Sequence, residues 1–328
     1  RYRQGWSLGD IIHSTPVVVG SPSMFLVDES YEAFRMNHED RRKMVYVGAN
    51  DGMVHGFDAE TGHEAWAFVP EFALPKFKAM ADSFYCHTYT CDQTVTVEDA
   101  KLNGTWKTVL ASGGGKGGAG LFALDVTYPE SPSLLWQAFL PNGKKDHSEV
   151  EIVSIGGRSM VLVGSGFDNA DMEAYLYAYD LASGDFMGEV MLSSNPRADR
   201  NRASKPTVVD FDLDGQADMA YVADMLGSVY RITFHGSPYP NSWSVNELYE
   251  GSQEITADPV AAYGPNGFIY VYFGTGAYLE DPDMVTSGQQ SFLCVFDRHD
   301  GSTATKGNMA DQTNSVGEID GYMGWYID

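Results

Sequence analysis

An internal repeat constrains this chain more than any single residue does. Five segments run in the same order: an apolar strand, a Gly-centred turn, a second apolar strand that usually ends in Asp, then another turn. They are VYVGANDGMVHGFDAETG (45–62), TVLASGGGKGGAGLFALDVT (108–127), MVLVGSGFDNADMEAYLYAYDLASG (160–184), MAYVADMLGSVYRITFHGS (219–237) and YVYFGTGAYLEDPDMVTSGQQSFLCVFDRHDG (270–301). Anchored at Val47, Leu110, Val163, Val222 and Phe273, the intervals are 63, 53, 59 and 51 residues. A further strand precedes most units, in STPVVVG (14–20), TVTVEDA (94–100), KPTVVDF (205–211) and ADPVAAY (257–263). A strand carrying an aromatic follows in HEAWAFVP (63–70), SLLWQAFLP (133–141) and SWSVNELYE (242–250). Four antiparallel strands per unit at this period are the signature of a β-propeller blade. The predicted fold is therefore all-β, a modified β-propeller with five clear repeats in six or seven blade positions. The regular period favours this over a β-sandwich. Residues 1–328 are read as one propeller domain, a C-terminal portion of a larger protein.

Two inserts break the pattern. PSMFLVDESYEAFRMNHEDRRK (22–43) has a charged, helical stretch, and PEFALPKFKAMADS (70–83) reads as a short helix. Both should project from the blades as loops, where binding residues concentrate.

Charge narrows the partners. Twenty-one basic against 45 acidic residues give a net charge of −24. Nucleic-acid binding needs the opposite field, and anionic lipid is disfavoured for the same reason. No apolar run reaches the roughly 20 residues of a membrane-spanning helix. The chain opens on Arg1, as a mature form or an excised domain would. Of the three cysteines, Cys86 and Cys91 flank a polar turn in CHTYTC, where a local disulfide is expected over two reduced thiols. Such a bridge would mean an oxidising compartment. Cys294, in SFLCVFD, reads as a buried structural thiol.

The sharpest motif is Asp210-Phe-Asp212-Leu-Asp214-Gly215-Gln216-Ala-Asp218. Carboxylates alternate and a glycine stands sixth, as in the first half of a calcium loop, whose ligands fall at positions 1, 3, 5 and the carbonyl of 7. The last acidic residue stands ninth, so this is a shorter, strand-flanked loop and not an EF-hand. An all-oxygen, acidic donor set favours Ca2+ over zinc or copper. The competing reading is a solvated acidic turn. A weaker second cluster, Asp168, Asn169, Asp171 and Glu173, reads first as a solvated turn. GGGKGGAG (113–120) lacks the Ser/Thr and the helix of a phosphate loop. No nucleophile elbow, HExxH or CxxCH occurs, so no catalytic residue is assigned and the chain is read as non-enzymatic.

The segments GDIIHSTPVVVG, VYVGANDGMVHGFDAETGHEAWAFVP, WKTVLASGGGKGGAGLFALDVT, DFDLDGQADMAYVADMLGSVYRI, FGTGAYL and GWYID resemble, in order, the C-terminal propeller of the type IV pilus tip adhesins, the PilY family. The resemblance implies a pilus-tip or cell-surface location, extracellular and possibly against the outer membrane. It implies roles in adhesion to host or abiotic surfaces, in priming pilus assembly with minor pilins, and in calcium-linked control of extension and retraction. It places the ion on Asp210, Asp212, Asp214, Gln216 through its main-chain carbonyl, and Asp218. The alternative is a quinoprotein (PQQ-type) dehydrogenase, whose propeller shares the PVV…DG…LDA…TG…W pattern and also binds calcium. That class pairs adjacent cysteines under the quinone, and Cys86 and Cys91 are not adjacent.

Overall fold

Each repeat folds into its own antiparallel sheet because its apolar positions alternate and its turns carry the glycines that tight reversals need. The computed structural model describes residues 8–23, 26, 28–141, 147–166, 172–195, 200–279, 283–284 and 288–328. The first sheet has the order β1 (Val17–Val19), β2 (Met44–Ala49), β3 (Met53–Asp58), β4 (Glu64–Phe68). The second is β5 (Thr96–Leu102), β6 (Thr105–Gly113), β7 (Gly120–Asp125), β8 (Ser133–Phe139). The third comprises β9 (His147–Ile155), β10 (Arg158–Ser165), β11 (Glu173–Asp180) and β12 (Phe186–Ser194). The fourth comprises β13 (Thr207–Val209), β14 (Met219–Ala223), β15 (Val229–Thr233) and β16 (Ser244–Tyr249). The fifth has five strands: β17 (Val260–Tyr263), β18 (Ile269–Gly274) and β19 (Phe292–Asp297), then β21 (Gly324–Ile327) and β20 (Ala310–Asp311). The late strands beyond the fifth repeat complete its sheet: β21 pairs antiparallel with β19, and β20 runs parallel to β21.

The chain divides into two compact units. One is Arg1–Ser154 with Arg158–Val161 and Tyr179–Phe186; the other is Ile155–Gly157, Leu162–Ala178 and Met187–Asp328. In the first unit Met44, Tyr46, Val54, Leu110, Phe122 and Leu124 form a buried core. In the second, Tyr221, Val229, Val271, Phe273, Leu293 and Val295 do the same.

Both inserts are helical, as expected, but they do not simply project: Tyr31 and Phe34 of the first and Phe72 and Ala73 of the second are buried. Asp28 caps α1 (Glu29–Asn37) by accepting from the Ser30 and Tyr31 N–H groups. Residues Glu71–Lys76 form a 3-10 turn that runs into α2 (Phe77–Met80).

The Asp that ends the repeats' second apolar strand has a structural task. Asp58 accepts the Thr61 N–H and hydroxyl and pairs with Arg42; the Thr61 hydroxyl foremost, and Arg42, hold its carboxyl down at about 2. Asp125 takes Lys107 at 2.5 Å and Asp180 takes Arg158 at 2.6 Å. Asp297 takes Arg231 at 2.6 Å and the Tyr221 hydroxyl at 2.7 Å. Each carboxylate thus closes the following turn and carries a compensating cation, which is what makes its burial affordable.

The aromatics of the outer strands are latches. Trp66 on β4 donates to the Pro129 carbonyl at 2.7 Å, and Trp136 on β8 donates to the Leu181 carbonyl at 2.8 Å. In each case the acceptor lies in the turn of the next sheet. Gly184, with φ of 76°, lies under Trp136 so closely that a Cβ would come within 2.6 Å of the indole.

The disulfide expected between Cys86 and Cys91 is not formed. Cys86 is exposed, whereas Cys91 is buried in the first unit's core, against the backbone of Gly48. Burial first, and the nearby Asp51, push the Cys91 thiol well above its ordinary value, so it is an inert packing group. Cys294 is buried as predicted, its thiol pushed up by burial to about 12.

His55 is buried on β3 between two carboxylates, with Nδ1 at 2.8 Å from Glu64 and Nε2 at 3.2 Å from Asp51. Burial opposes its charge, but these hydrogen bonds outweigh burial and raise its pKa. A raised folded-state pKa gives stability that is complete below the unfolded value of about 6.5 and is lost as pH rises through the folded value. The urea midpoint should therefore fall as pH rises above about 6.5. His55→Gln should remove that component of the pH dependence. An identical profile in the variant would contradict the assignment.

Candidate metal centre

The acidic loop joins β13 to β14. The strands bring its ends together: Asp218 N–H donates to the Val209 carbonyl at 3.0 Å, and Val209 faces Met219 in the ladder. Between them the chain must reverse within a few residues. Gly215, at φ 87°, takes part of the turn without strain, and Leu213, at φ 62°, takes the rest at a cost of about 1–2 kcal/mol for an L-residue. Leu213 is 76% exposed, so packing does not compensate that cost.

The reversal brings one carboxylate oxygen each from Asp210, Asp212 and Asp218 within 4.8 Å of one another. Backbone donors fix the arrangement. Asp210 accepts the Asp214 N–H at 3.1 Å and the Gly215 N–H at 2.7 Å, and Asp218 accepts the Phe211 N–H at 2.7 Å. Asp212 accepts the Asp214 N–H at 3.3 Å. Neighbouring elements of the same unit brace the loop. The Tyr263 hydroxyl, on β17, donates to the Asp210 carbonyl, and the Phe211 ring lies 5.0 Å from the His299 ring, edge to face. Burial first, then the facing carboxylates of Asp210, Asp218 and Asp212, raise the Tyr263 phenol above its ordinary value.

Three of the four predicted carboxylates therefore converge, and Asp214 is not among them. Its Oδ1 accepts the Gln216 N–H at 2.7 Å, so it closes the turn. The Gln216 side chain accepts the Gly157 N–H at 2.7 Å. Of the weaker cluster, Asp168, Asn169 and Asp171 lie outside the described residues, and Glu173 accepts the hydroxyls of Tyr175 and, at 3.5 Å, Ser194.

The donor set fits a hard divalent cation. Three carboxylates at this spacing repel by roughly 1 kcal/mol per pair in water, and by about 3–4 at an effective dielectric of 20. A doubly charged ion on the same oxygens reverses that sign.

Comparison with known proteins places the chain. A family model described as the PilY1 beta-propeller domain matches residues 8–318. The chain belongs to the PilY1 β-propeller family. The resemblance carried by its repeats is thereby borne out. Among curated PilY1 relatives, the type IV pilus biogenesis factor PilY1 homolog of Xylella fastidiosa is 33% identical, over 100% of this chain and 29% of its own length. PilY1 of Pseudomonas aeruginosa strain UCBPP-PA14 is also 33% identical, over 94% of this chain and 30% of its own. The chain thus spans about 30% of the length of these curated relatives. The crystal structure of the P. aeruginosa PilY1 C-terminal domain matches with a TM-score of 0.81 at 26% identity, covering 95% of this chain and 77% of that one. The fold is that of the PilY1 propeller, with its four-stranded antiparallel blades.

Proposed function

We propose that this chain is the propeller portion of a type IV pilus biogenesis factor and tip-associated adhesin, acting outside the cell and without enzymatic activity. Its PilY1 relatives are pilus biogenesis factors by name. The observation that carries the reading for this chain is the convergence of Asp210, Asp212 and Asp218 within a loop that closes a blade hairpin. In this reading the loop holds Ca2+ through those three carboxylates, with the Gln216 carbonyl as a further oxygen. The ion stabilises and switches; it is no reagent. Its binding fastens the β13–β14 hairpin and, through Tyr263, the first strand of the neighbouring sheet. Minor pilins sense that order, and pilus extension, retraction and surface attachment follow it. The separation of exposed Cys86 from buried Cys91 favours this over a quinone enzyme, which needs its two cysteines side by side.

A pull-down of minor pilins with the purified chain, in calcium and in chelator, tests the reading. Recovery should be higher in calcium, and Asp210→Ala should bring it to the chelator level. In cells the same substitution should alter surface attachment. Equal recovery in all conditions, with normal attachment of the mutant, would contradict the switch.

A further inference from the structure

The loop after α1 and the turn after β7 wall a cavity of about 400 Å³ in the first unit. Tyr128 stands at it with 70% of its surface exposed. The His38 ring meets it edge to face at 5.6 Å and is backed by the buried Phe34 ring at 4.8 Å. Neither ring nitrogen of His38 bonds any group among the described residues. Burial first, and the nearby Arg41 charge, lower the pKa of this imidazole and so favour the neutral form, which offers one donor and one acceptor.

The floor is rigid. The Arg41 guanidinium donates to the Gly20 carbonyl and the Thr108 hydroxyl, and Thr108 in turn donates to Asp99 at 2.5 Å. The Tyr31 hydroxyl reaches the same carboxylate at 2.8 Å, which ties α1 to this network. On the other wall Arg42 bridges Asp58 and Glu130, the latter at 3.0 Å. The side chains of Asn37 and Asp40 line the cavity and bond nothing among the described residues.

Which ligand suits such a site follows from its chemistry. Donors and acceptors are interleaved: Asn37 and His38 supply both, Arg42 donates, and Asp40 and Glu130 accept. A simple anion is disfavoured, because Glu39, Asp40 and Glu130 are all present and the Arg42 charge is already met by two carboxylates. A purely apolar ligand would leave most of the lining unpaired. A polyol fits, since each hydroxyl both donates and accepts, and the C–H face of a sugar ring matches an exposed tyrosine. The volume falls within the range of small-ligand sites. We propose that the cavity between residues 36–42 and 127–130 binds a neutral or amino-bearing pyranose, with Tyr128 as platform and Asp40, Asn37 and His38 as hydroxyl partners. This site stands on its own geometry and needs neither the ion loop nor the pilus reading.

Saturation-transfer NMR on the full 328-residue chain tests it, with galactose, N-acetylglucosamine, glucosamine, glucuronic acid and sialic acid as probes. Transfer to ring C–H protons of a neutral or amino sugar is expected. Tyr128→Ala should weaken binding by about tenfold, the loss of one aromatic contact. Asp40→Asn should weaken it comparably, and Tyr128→Phe should retain it. Both positions are exposed, so the thermal melt should not change. The proposal is overturned if no sugar in the set binds, if only the acidic sugars bind, or if binding survives both Tyr128→Ala and Asp40→Asn unchanged.

Discussion

Replacing Trp136 with alanine should destabilise the protein by about 3–5 kcal/mol, the range for deleting a large buried aromatic. The indole is 6% exposed, lies over Gly184, and donates to the carbonyl of Leu181, itself fully buried. Its removal opens a cavity and strands that carbonyl at the same time. Trp136→Phe separates the two effects. It keeps most of the packing and should cost about 1–3 kcal/mol, the penalty of an unmet buried polar group. Trp66→Ala should cost less than Trp136→Ala, because Trp66 is only half-buried. Urea unfolding measures all three. A cost below about 1 kcal/mol for Trp136→Ala would show that the latch does not hold the turn.

Arg200→Ala should cost about 3–5 kcal/mol, because it removes the cation that two carboxylates share, one of them buried. Arg200 grips two carboxylates. It meets Glu254 through two bonds of 2.8 and 2.7 Å, and Asp283 through bonds of 3.2 and 2.7 Å. Asp283 is almost fully buried and also accepts the Leu279 N–H at 2.7 Å. Hydrogen bonds to Glu254 first, and to Asp283, raise the pKa of the guanidinium still further, so its charge is fixed at any working pH. Losing the arginine should therefore weaken the hold of Asp283 on the Leu279 N–H as well as lower stability. Adding Asp283→Asn removes the stranded charge, and the double variant should recover about 1–3 kcal/mol relative to additivity. Strict additivity of the two changes would contradict the coupling.

Much of the fold is legible in the sequence because its cause is periodic. Alternation along each strand and glycine at each reversal recur at every repeat, and the five sheets follow the five repeats. The terminal Asp of a repeat was visible as a pattern, but its purpose was not. Its cation sits before β2 for Asp58 and on β6 for Asp125, while for Asp297 it comes from another sheet, as Arg231 on β15. No local rule states such pairings. Trp66 and Trp136 were likewise visible as strand aromatics, whereas their acceptors, Pro129 and Leu181, lie 63 and 45 residues away.

The acidic loop was legible as far as its spacing carries. Alternation places Asp210, Asp212 and Asp214 at positions 1, 3 and 5 of a calcium loop. The left-handed turn at Leu213 breaks that alternation and diverts Asp214 to the Gln216 N–H. Spacing could not reveal the brace from Tyr263, 53 residues away. The Cys86–Cys91 bridge failed for a related reason. Proximity in sequence says nothing of burial, and the two side chains lie in different environments.

Thermal unfolding in calcium and in chelator tests most directly whether Asp210, Asp212 and Asp218 bind calcium. An ion at 100 times its dissociation constant adds about 2.7 kcal/mol to stability. For a chain of this length that raises the melting temperature by about 4 °C. Asp210→Ala and Asp218→Ala should abolish the shift while remaining folded, and magnesium at the same concentration should give a smaller one. Equal melting temperatures of the unmodified protein in calcium and in chelator would contradict the central claim.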